Sequence, residues 1–478
     1  MKLLKAFIAS VLVLSFTACQ IPFGGSGSLK VQLPGGQSRA GVTTFGTGAS
    51  SDAIRLQLTR NGTIIPLGGG DFLEKSIAAV GSTVSIDGLA PGPGYVLLVS
   101  AGHRAAGETF YTTDSFQKSD PFEITAGVDT SVSVALAASR IAVLEATAGS
   151  PHGATVVNGH LYYIQGSSVF TATGISHSSL TNLSPATVNG LSNDGSSVVV
   201  NTSQGIAVDN EGWTISMYDA SEQTIHPNVL DSGTATIGGT QFAYYSGPGS
   251  TAGLRTSGSW SSLADLFSLN TSLQNALTGQ VIRGFAASSN YLYLSTSIGA
   301  YRVDSDLLNS QAEGDISAVS TKLMNDSSFL IKASDPSLPI GPVSTFLAYI
   351  NDLPVAYAFA GTAKGLFADS VDPSTGTPAR SSGLPLVSGT QGLNITQVVT
   401  SDTLDNNVVY TAAYASNTRE LLILNSLTLV QRISALEGLP SGKLRFTWYA
   451  DNSSSTLYLV VTGDDATVKF AAGSLQVL

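Results

Sequence analysis

Thiols and imidazoles are few in this 478-residue chain, with one cysteine and five histidines, and their spacing narrows the chemistry open to it. There is one cysteine, Cys19, which supplies a single thiol nucleophile and rules out an intrachain disulfide. The histidines are His103, His152, His160, His177 and His226, and no two stand at the spacing that brings imidazoles together on one helix face for zinc. With no second thiol, a zinc site would have to gather distant histidines and carboxylates. Asp464-Asp465 and Asp304-x-Asp306 are acidic pairs of the sort that bind calcium, but neither has the ligand spacing of a known loop. A nucleophile elbow, a phosphate loop and a dinucleotide fingerprint are all missing. Trp213, Trp260, Trp448, Tyr244 and Tyr245 are candidate ligand-facing aromatics, although packing between sheets is the simpler role for each. No catalytic residue, metal or cofactor is assigned.

The surroundings of Cys19 give its thiol a purpose. Two lysines, Lys2 and Lys5, precede an apolar run from Ala6 to Phe16, which is too short to span a membrane, and small residues follow. This is the pattern of a secretory signal. Phe16-Thr17-Ala18-Cys19 resembles the bacterial lipobox, with Phe16 where that family usually has Leu, Val or Ile. The resemblance implies cleavage after Ala18, lipid attachment at Cys19, and acylation of the new amino group. Several acyl chains hold a protein on a membrane far better than one. Residues 1–18 are then the signal, and 19–28, rich in Gly and Ser, are the anchor and its tether. Gln20, where Asp would retain an enteric lipoprotein at the inner membrane, implies the outer membrane.

Composition agrees with a protein built of many short strands joined by tight turns. Charged residues are 12% of the chain, and 50 glycines accompany short runs of Val, Leu and Tyr. The net charge is −11, and it becomes −13 once Lys2 and Lys5 leave with the signal. No Lys/Arg cluster offers itself to a phosphate backbone, so nucleic acid is not an expected partner.

Two β regions succeed the tether. In 29–138, Leu29–Leu33 and Ile54–Arg60 alternate, Asn61-Gly62 is a hairpin signal, and Tyr95–Val99 returns after a Pro/Gly turn. A closing hairpin is expected between Phe122–Ile124 and Val132–Leu136, around Ala126-Gly127. The pattern resembles the transthyretin-like and immunoglobulin-like sandwiches of bacterial surface proteins. That resemblance puts Tyr95 at a sandwich corner, in a structural role.

In 139–478 a motif recurs. VVVNTSQGIAVD, LYLSTSIGAYRVD and AFAGTAKGLFAD share a strand, a Thr-x-x-Gly turn, a second strand and an Asp. The positions are Thr202, Thr296 and Thr362, then Gly205, Gly299 and Gly365, then Asp209, Asp304 and Asp369. Recurrence makes those aspartates strand-end hydrogen-bonding residues rather than a catalytic set. Weaker copies turn near Gln165, Thr251, Tyr414 and Thr462, giving intervals of 37 to 66 residues. A repeat of that length built from short strands predicts a β-propeller of about seven blades. The hairpin resembles the repeat of two-component-regulator and related sensor or sialidase-like propellers, most closely over Ala358–Ser370. Closure is expected by pairing Leu475–Leu478 with Ile141–Leu144 in one blade. Two stretches interrupt the repeat, Ser259–Gln280 and Asp306–Pro342, and both are expected to cover one face and shape a partner site.

The reading is therefore all-β: an N-terminal β-sandwich, then a β-propeller, lipid-anchored in the cell envelope. It would serve as a non-enzymatic binding module for a protein or glycan. An envelope assembly factor and a propeller glycosidase are the alternatives, and the first lacks its family's tryptophan-rich blade motif. Replacing Cys19 by Ala is expected to abolish incorporation of labelled palmitate and leave the chain uncut or soluble. Palmitate on the Ala variant would overturn the anchor.

Overall fold

The computed structural model describes residues 26–33, 43–44, 50–77, 83–193, 197–208, 228–229, 231–237, 240–246, 252–256, 259–262, 282–288, 291–296, 299–304, 329–332, 340–350, 353–371, 385–401 and 409–474. Among them no helix is long and apolar enough to cross a membrane. The chain divides into two compact units, one of Met1–His103 with Thr112–Ser139, the other of Arg104–Tyr111 with Arg140–Leu478. Cys19 and its signal lie outside the described residues.

The first unit holds twelve described strands. They are β1 (Gly27–Gln32), β2 (Thr43–Thr44), β3 (Ser50–Ser51), β4 (Ala53–Arg60), β5 (Thr63–Ile65) and β6 (Leu73–Ser76). After these come β7 (Thr83–Leu89), β8 (Gly92–His103), β9 (Thr112–Lys118), β10 (Phe122–Ile124), β11 (Asp129–Ser133) and β12 (Ala137–Ala138). One sheet runs β11-β1-β7; the other runs β12-β9-β8-β4-β5, with β10 on β8 and β6 on β4. Alternation decides which side chains meet. Leu29 and Val31 of β1 and Val84 and Ile86 of β7 share a core with Ile54, Leu56 and Leu58 of β4 and Tyr95, Leu97 and Val99 of β8. Tyr95 is 1% exposed, and its hydroxyl donates to the carbonyl of Ala90 five residues upstream. β1 already starts at Gly27, so the last two residues of the expected tether, 19–28, belong to a strand.

The expected closing hairpin does not form. β10 pairs with β8, whereas β11 crosses to the other sheet and lies parallel to β1. Ile124 is fully buried, and the left-handed Gly127 turns the chain away from its own sheet. Two apolar runs with a turn between them read as a hairpin, yet each is satisfied by a strand distant in sequence.

The second unit is a ring. Its first strand, β13 (Ile141–Glu145), is set aside for the end of the chain. Sheet 1 is β14 (Ala154–Val157), β15 (His160–Gln165), β16 (Ser168–Thr171) and β17 (Ser176–Ser179). Sheet 2 is β18 (Val188–Asn193), β19 (Val198–Thr202) and β20 (Gly205–Val208). Sheet 3 is β21 (Asp231–Ile237), β22 (Thr240–Ser246), β23 (Ala252–Thr256) and β24 (Ser259–Ser262). Sheet 4 is β25 (Ile282–Ser288), β26 (Tyr291–Thr296), β27 (Gly299–Asp304) and β28 (Phe329–Lys332). Sheet 5 is β29 (Ile340–Ile350), β30 (Leu353–Thr362) and β31 (Gly365–Val371). Sheet 6 is β32 (Ile395–Thr400), β33 (Tyr410–Ala415), β34 (Glu420–Asn425) and β35 (Thr428–Ser434). Sheet 7 is β36 (Arg445–Asp451), β37 (Thr456–Thr462) and β38 (Thr467–Ser474), completed by β13 on β38. Within each described sheet the strands follow one another as antiparallel neighbours. The first strands β14, β18, β21, β25, β29, β32 and β36 adjoin one another in that order, and β36 adjoins β14. This cyclic order is a β-propeller.

In sheets 6 and 7 the middle strands pack on both sides, so successive apolar residues are buried. In β34, Leu421 and Ile423 face sheet 7 while Leu422 and Leu424 face sheet 5. In β37, Leu459 and Val461 face sheet 6 and Val460 faces sheet 1. Each fully buried Leu or Val contributes about 1.5–3 kcal/mol. Phe110, of the Arg104–Tyr111 segment, is 3% exposed in the core shared by sheets 6 and 7.

The ring closes as one sheet, but through other residues than the sequence suggests. Ile141 faces Phe470, Ala142 faces Lys469, Val143 faces Val468 and Glu145 faces Thr467. The apolar tail 475–478 lies outside the described residues. The closing strand is chosen by Val468, Phe470 and Ala472, which alternate into the core at 0–3% exposure. A chain ending at Asp465 should lose its cooperative melting transition, whereas one ending at Ser474 should keep it. Phe470→Ala should cost about 3–5 kcal/mol in denaturant unfolding. A chain ending at Asp465 that melts like its parent would refute closure through β38.

Candidate functional site

The recurrent motif marks one end of the ring. All seven turns read from the sequence join the second and third strands of a sheet: β15–β16, β19–β20, β22–β23, β26–β27, β30–β31, β33–β34 and β37–β38. Strand direction puts the start of every first strand at this same end, as Val188 opposite Thr202 and Ile340 opposite Thr362 show. The links from one sheet to the next arrive there too. We call it the turn end.

Two copies of the motif are described in atomic detail, and they are alike. Thr202 and Thr362, 3% and 1% exposed, each donate from Oγ1 to the carbonyl of the glycine three residues on, both at 2.9 Å. The same oxygens accept from the backbone N–H of Gln204 at 3.1 Å and of Lys364 at 3.0 Å. Gly205 and Gly365 hold φ of 131° and 143°, where a side chain is strained. Threonine therefore satisfies the turn from inside the ring and leaves Gln204 and Lys364 exposed at its rim.

At the closing seam the turn end also gathers charged groups. Glu145 ends β13, His152 precedes β14, Arg445 begins β36, and Asp464-Asp465 form the β37–β38 turn. Asp465 accepts from the N–H of Ser441 at 2.8 Å and from its Oγ at 2.7 Å. A side chain at Gly442 would overlap Asp464, so that carboxylate lies directly on the backbone. The pair therefore fastens a turn to the connector from sheet 6. His152 is 6% exposed, and its Nδ1 has no hydrogen-bond partner among the described residues. Burial holds this imidazole below its ordinary range, against the opposing pull of Glu145, Asp465 and Asp464.

The other sequence candidates do not converge. His103, in the first unit, pairs through Nδ1 with Asp114 at 3.0 Å. His160 begins β15 at the end opposite the turns, and His177 lies in β17. Asp304 is the last residue of β27, but Asp369 lies inside β31 rather than at a strand end. Trp448 donates from Nε1 to the Val399 carbonyl at 3.3 Å and packs beside Tyr410, which makes it a joint between sheets 7 and 6. Tyr244 and Tyr245 are in β22 and Trp260 in β24. His226, Asp209, Asp306 and Trp213 fall outside the described residues. Among the described residues, no group of three or more His, Cys, Asp and Glu is placed to hold a metal.

Most of the two interruptions, and with it the expected shared face, lies outside the described residues, and the bounding strands fix only where each attaches. Ser259–Ser262 is the fourth strand of sheet 3, so the chain leaves it at the turn end. Phe329–Lys332 is the fourth strand of sheet 4, so the link between Asp304 and Phe329 attaches at the opposite end and the link from Lys332 to Ile340 at the turn end. The widest gap looked like one insertion because it hides a strand.

No protein-family model matches the chain, and no curated protein sequence does. Among solved structures it is similar to YCF48 bound to a D1 peptide, at 10% identity and a TM-score of 0.40, covering 71% of this chain and 96% of that one. The β-propeller domain of Cps50 (Swd1) from Myceliophteria thermophila aligns at 10% identity and 0.37, over 66% and 94%. A DUF4623 family protein from Bacteroides eggerthii aligns at 10% and 0.34, over 79% and 96%. The propeller assignment rests on the strand order and cyclic adjacency, not on these distant likenesses.

What sequence reasoning missed is polar. Ser192 of β18, Asn201 of β19 and Ser232 of β21 form a buried hydrogen-bonded trio between sheets 2 and 3. Asn193 reaches Thr155 of β14 at 3.2 Å, and Thr447 of β36 donates to the Ala154 carbonyl at 3.1 Å. Isolated Ser, Thr and Asn in short strands carry no periodic signal, so these links were not legible.

Because His152 is held neutral when folded and protonates more readily when unfolded, its contribution to stability is complete above about pH 6.5 and is lost as pH falls below that value. Urea unfolding at pH 7.5 and 5.5 should show a smaller acid loss for His152→Gln than for the parent. Equal losses would mean that His152 does not titrate in this window.

Proposed function

We propose that the protein is a lipid-anchored envelope lipoprotein whose propeller is a non-enzymatic binding module, engaging a protein or glycan through the turn end. One observation carries this reading. Seven equivalent turns and the links between sheets meet at one end of a ring whose interior is spent on packing and closure. A rigid ring presents loops without moving its core, and loops on rigid scaffolds are where recognition concentrates. The side chains best placed to do chemistry are already committed to structure: Asp465 to Ser441, His103 to Asp114, and Trp448 to Val399.

The test is site-specific photocrosslinking in cells. A photoreactive residue at Gln204 or Lys364 probes the turn end, and one at Asn158 or Thr173 probes the opposite end. Discrete adducts are expected from the first pair and not from the second. Adducts from the opposite end alone would move the binding face there.

A further inference from the structure

The first unit has two dissimilar ends, and the chain uses both. β1 begins at Gly27, where the N–H of Gly127 bonds to the Ser26 carbonyl at 3.2 Å. The same end carries the Arg60–Gly62 turn, the Ala90–Gly94 turn and Thr125–Val128, since Gly27 faces Leu89, Arg60 faces Tyr95 and Ile124 faces Gly92. β8 runs from this end to the other over twelve residues, roughly 35 Å of strand. At the far end lie His103, Thr112 and Ser76, and Ser139, the last residue of the unit, bonds there to the Asp114 carbonyl at 2.9 Å.

We infer that the end bearing Gly27, Val128 and the Arg60 and Pro91 turns rests on the bilayer surface that holds the acyl chains of Cys19. This inference rests on the lipid-anchor reading above. Seven residues, Gln20 to Ser26, separate Cys19 from β1. Fully extended they span at most about 25 Å, and a flexible Gly/Ser chain of that length averages about 15 Å. The end nearest the anchor is therefore held at the headgroups.

Its chemistry suits that position. Arg60–Gly62, Ala90–Gly94 and Thr125–Val128 contain one arginine and no carboxylate, in a chain where acids outnumber bases, and the exposed Glu123 and Asp129 flank the last of these turns. Asp87 and Asp129 lie one rung back, where both act on Lys30, and Asp129 pairs with it directly. Arg60 is fixed across the turns by donating to the carbonyls of Pro91 and Pro93, at 3.0 and 3.3 Å. Val128 stands 52% exposed, one of few large apolar side chains so placed among the described residues. A Pro/Gly-lined end whose turns carry one cation, no carboxylate and one projecting valine suits contact with an anionic headgroup layer.

Full-length acylated protein in phosphatidylethanolamine/phosphatidylglycerol vesicles tests this. A fluorophore is placed on Val128→Cys or on Ser76→Cys, Cys19 being blocked by its lipid, and a nitroxide on lipid headgroups serves as quencher. Quenching at position 128 should exceed that at position 76 at least threefold. With palmitate present on Cys19, equal quenching, or stronger quenching at 76, overturns the docking face and leaves the anchor intact. A Cys19 that carries no palmitate overturns both.

Discussion

Closure of the ring is the constraint on which the second unit depends. The sheets whose side chains are described pack against a neighbour on both faces, and a linear stack would leave two apolar faces in water. Pairing β13 with β38 solves this by building sheet 7 from both ends of the unit. Arg140, one residue before β13, adds a fastening on the outside by donating to Glu437 at 2.7 and 3.2 Å. Glu437 also completes the cap of the short helical turn Ala435–Glu437 that leads into sheet 7. The entry strand, the exit strand and the last connector are thus held by one set of contacts.

The Thr-x-x-Gly turn arises from that double burial. In sheets 2 and 5 the second and third strands meet at a buried turn, which leaves backbone groups at the edge of a dry interface. Thr202 and Thr362 satisfy those groups with one hydroxyl each, and Gly205 and Gly365 allow the backbone to come round. The motif recurs because the same local problem recurs. That is also why a structural reading of its residues outweighs a catalytic one.

Much of this was legible in the sequence. All seven central hairpins show there, since each couples an apolar run to a turn signal, and the ring emerges from counting them. Asn61-Gly62 marks the β4–β5 hairpin for the same reason. Pairings between segments distant in sequence were harder. β11 next to β1 and β38 next to β13 depend on which apolar face fits which neighbour, and no local pattern encodes that choice. For the candidate site, the sequence located the turns but not the seam. Glu145 and His152 come from one stretch near the start of the unit and Asp465 from near its end, and closure brings them near one another.

The fourth strands were the least legible elements, and their concealment has a physical cause. A propeller leaves the outer edge of each sheet open, and an apolar edge would recruit other chains. Ser176–Ser179 reads SHSS and Ser259–Ser262 reads SWSS, while in β35 Thr428, Val430 and Arg432 face outward. Short, polar edge strands keep the ring from pairing with other chains, and by the same property they lose the alternation that would reveal them. Phe329–Lys332 is the instructive exception. Its sequence, FLIK, is apolar enough to notice, but it lies far from β27 along the chain and so reads as part of an insertion. Two different demands, a blunt edge in one sheet and a distant partner in the other, erase the same signal.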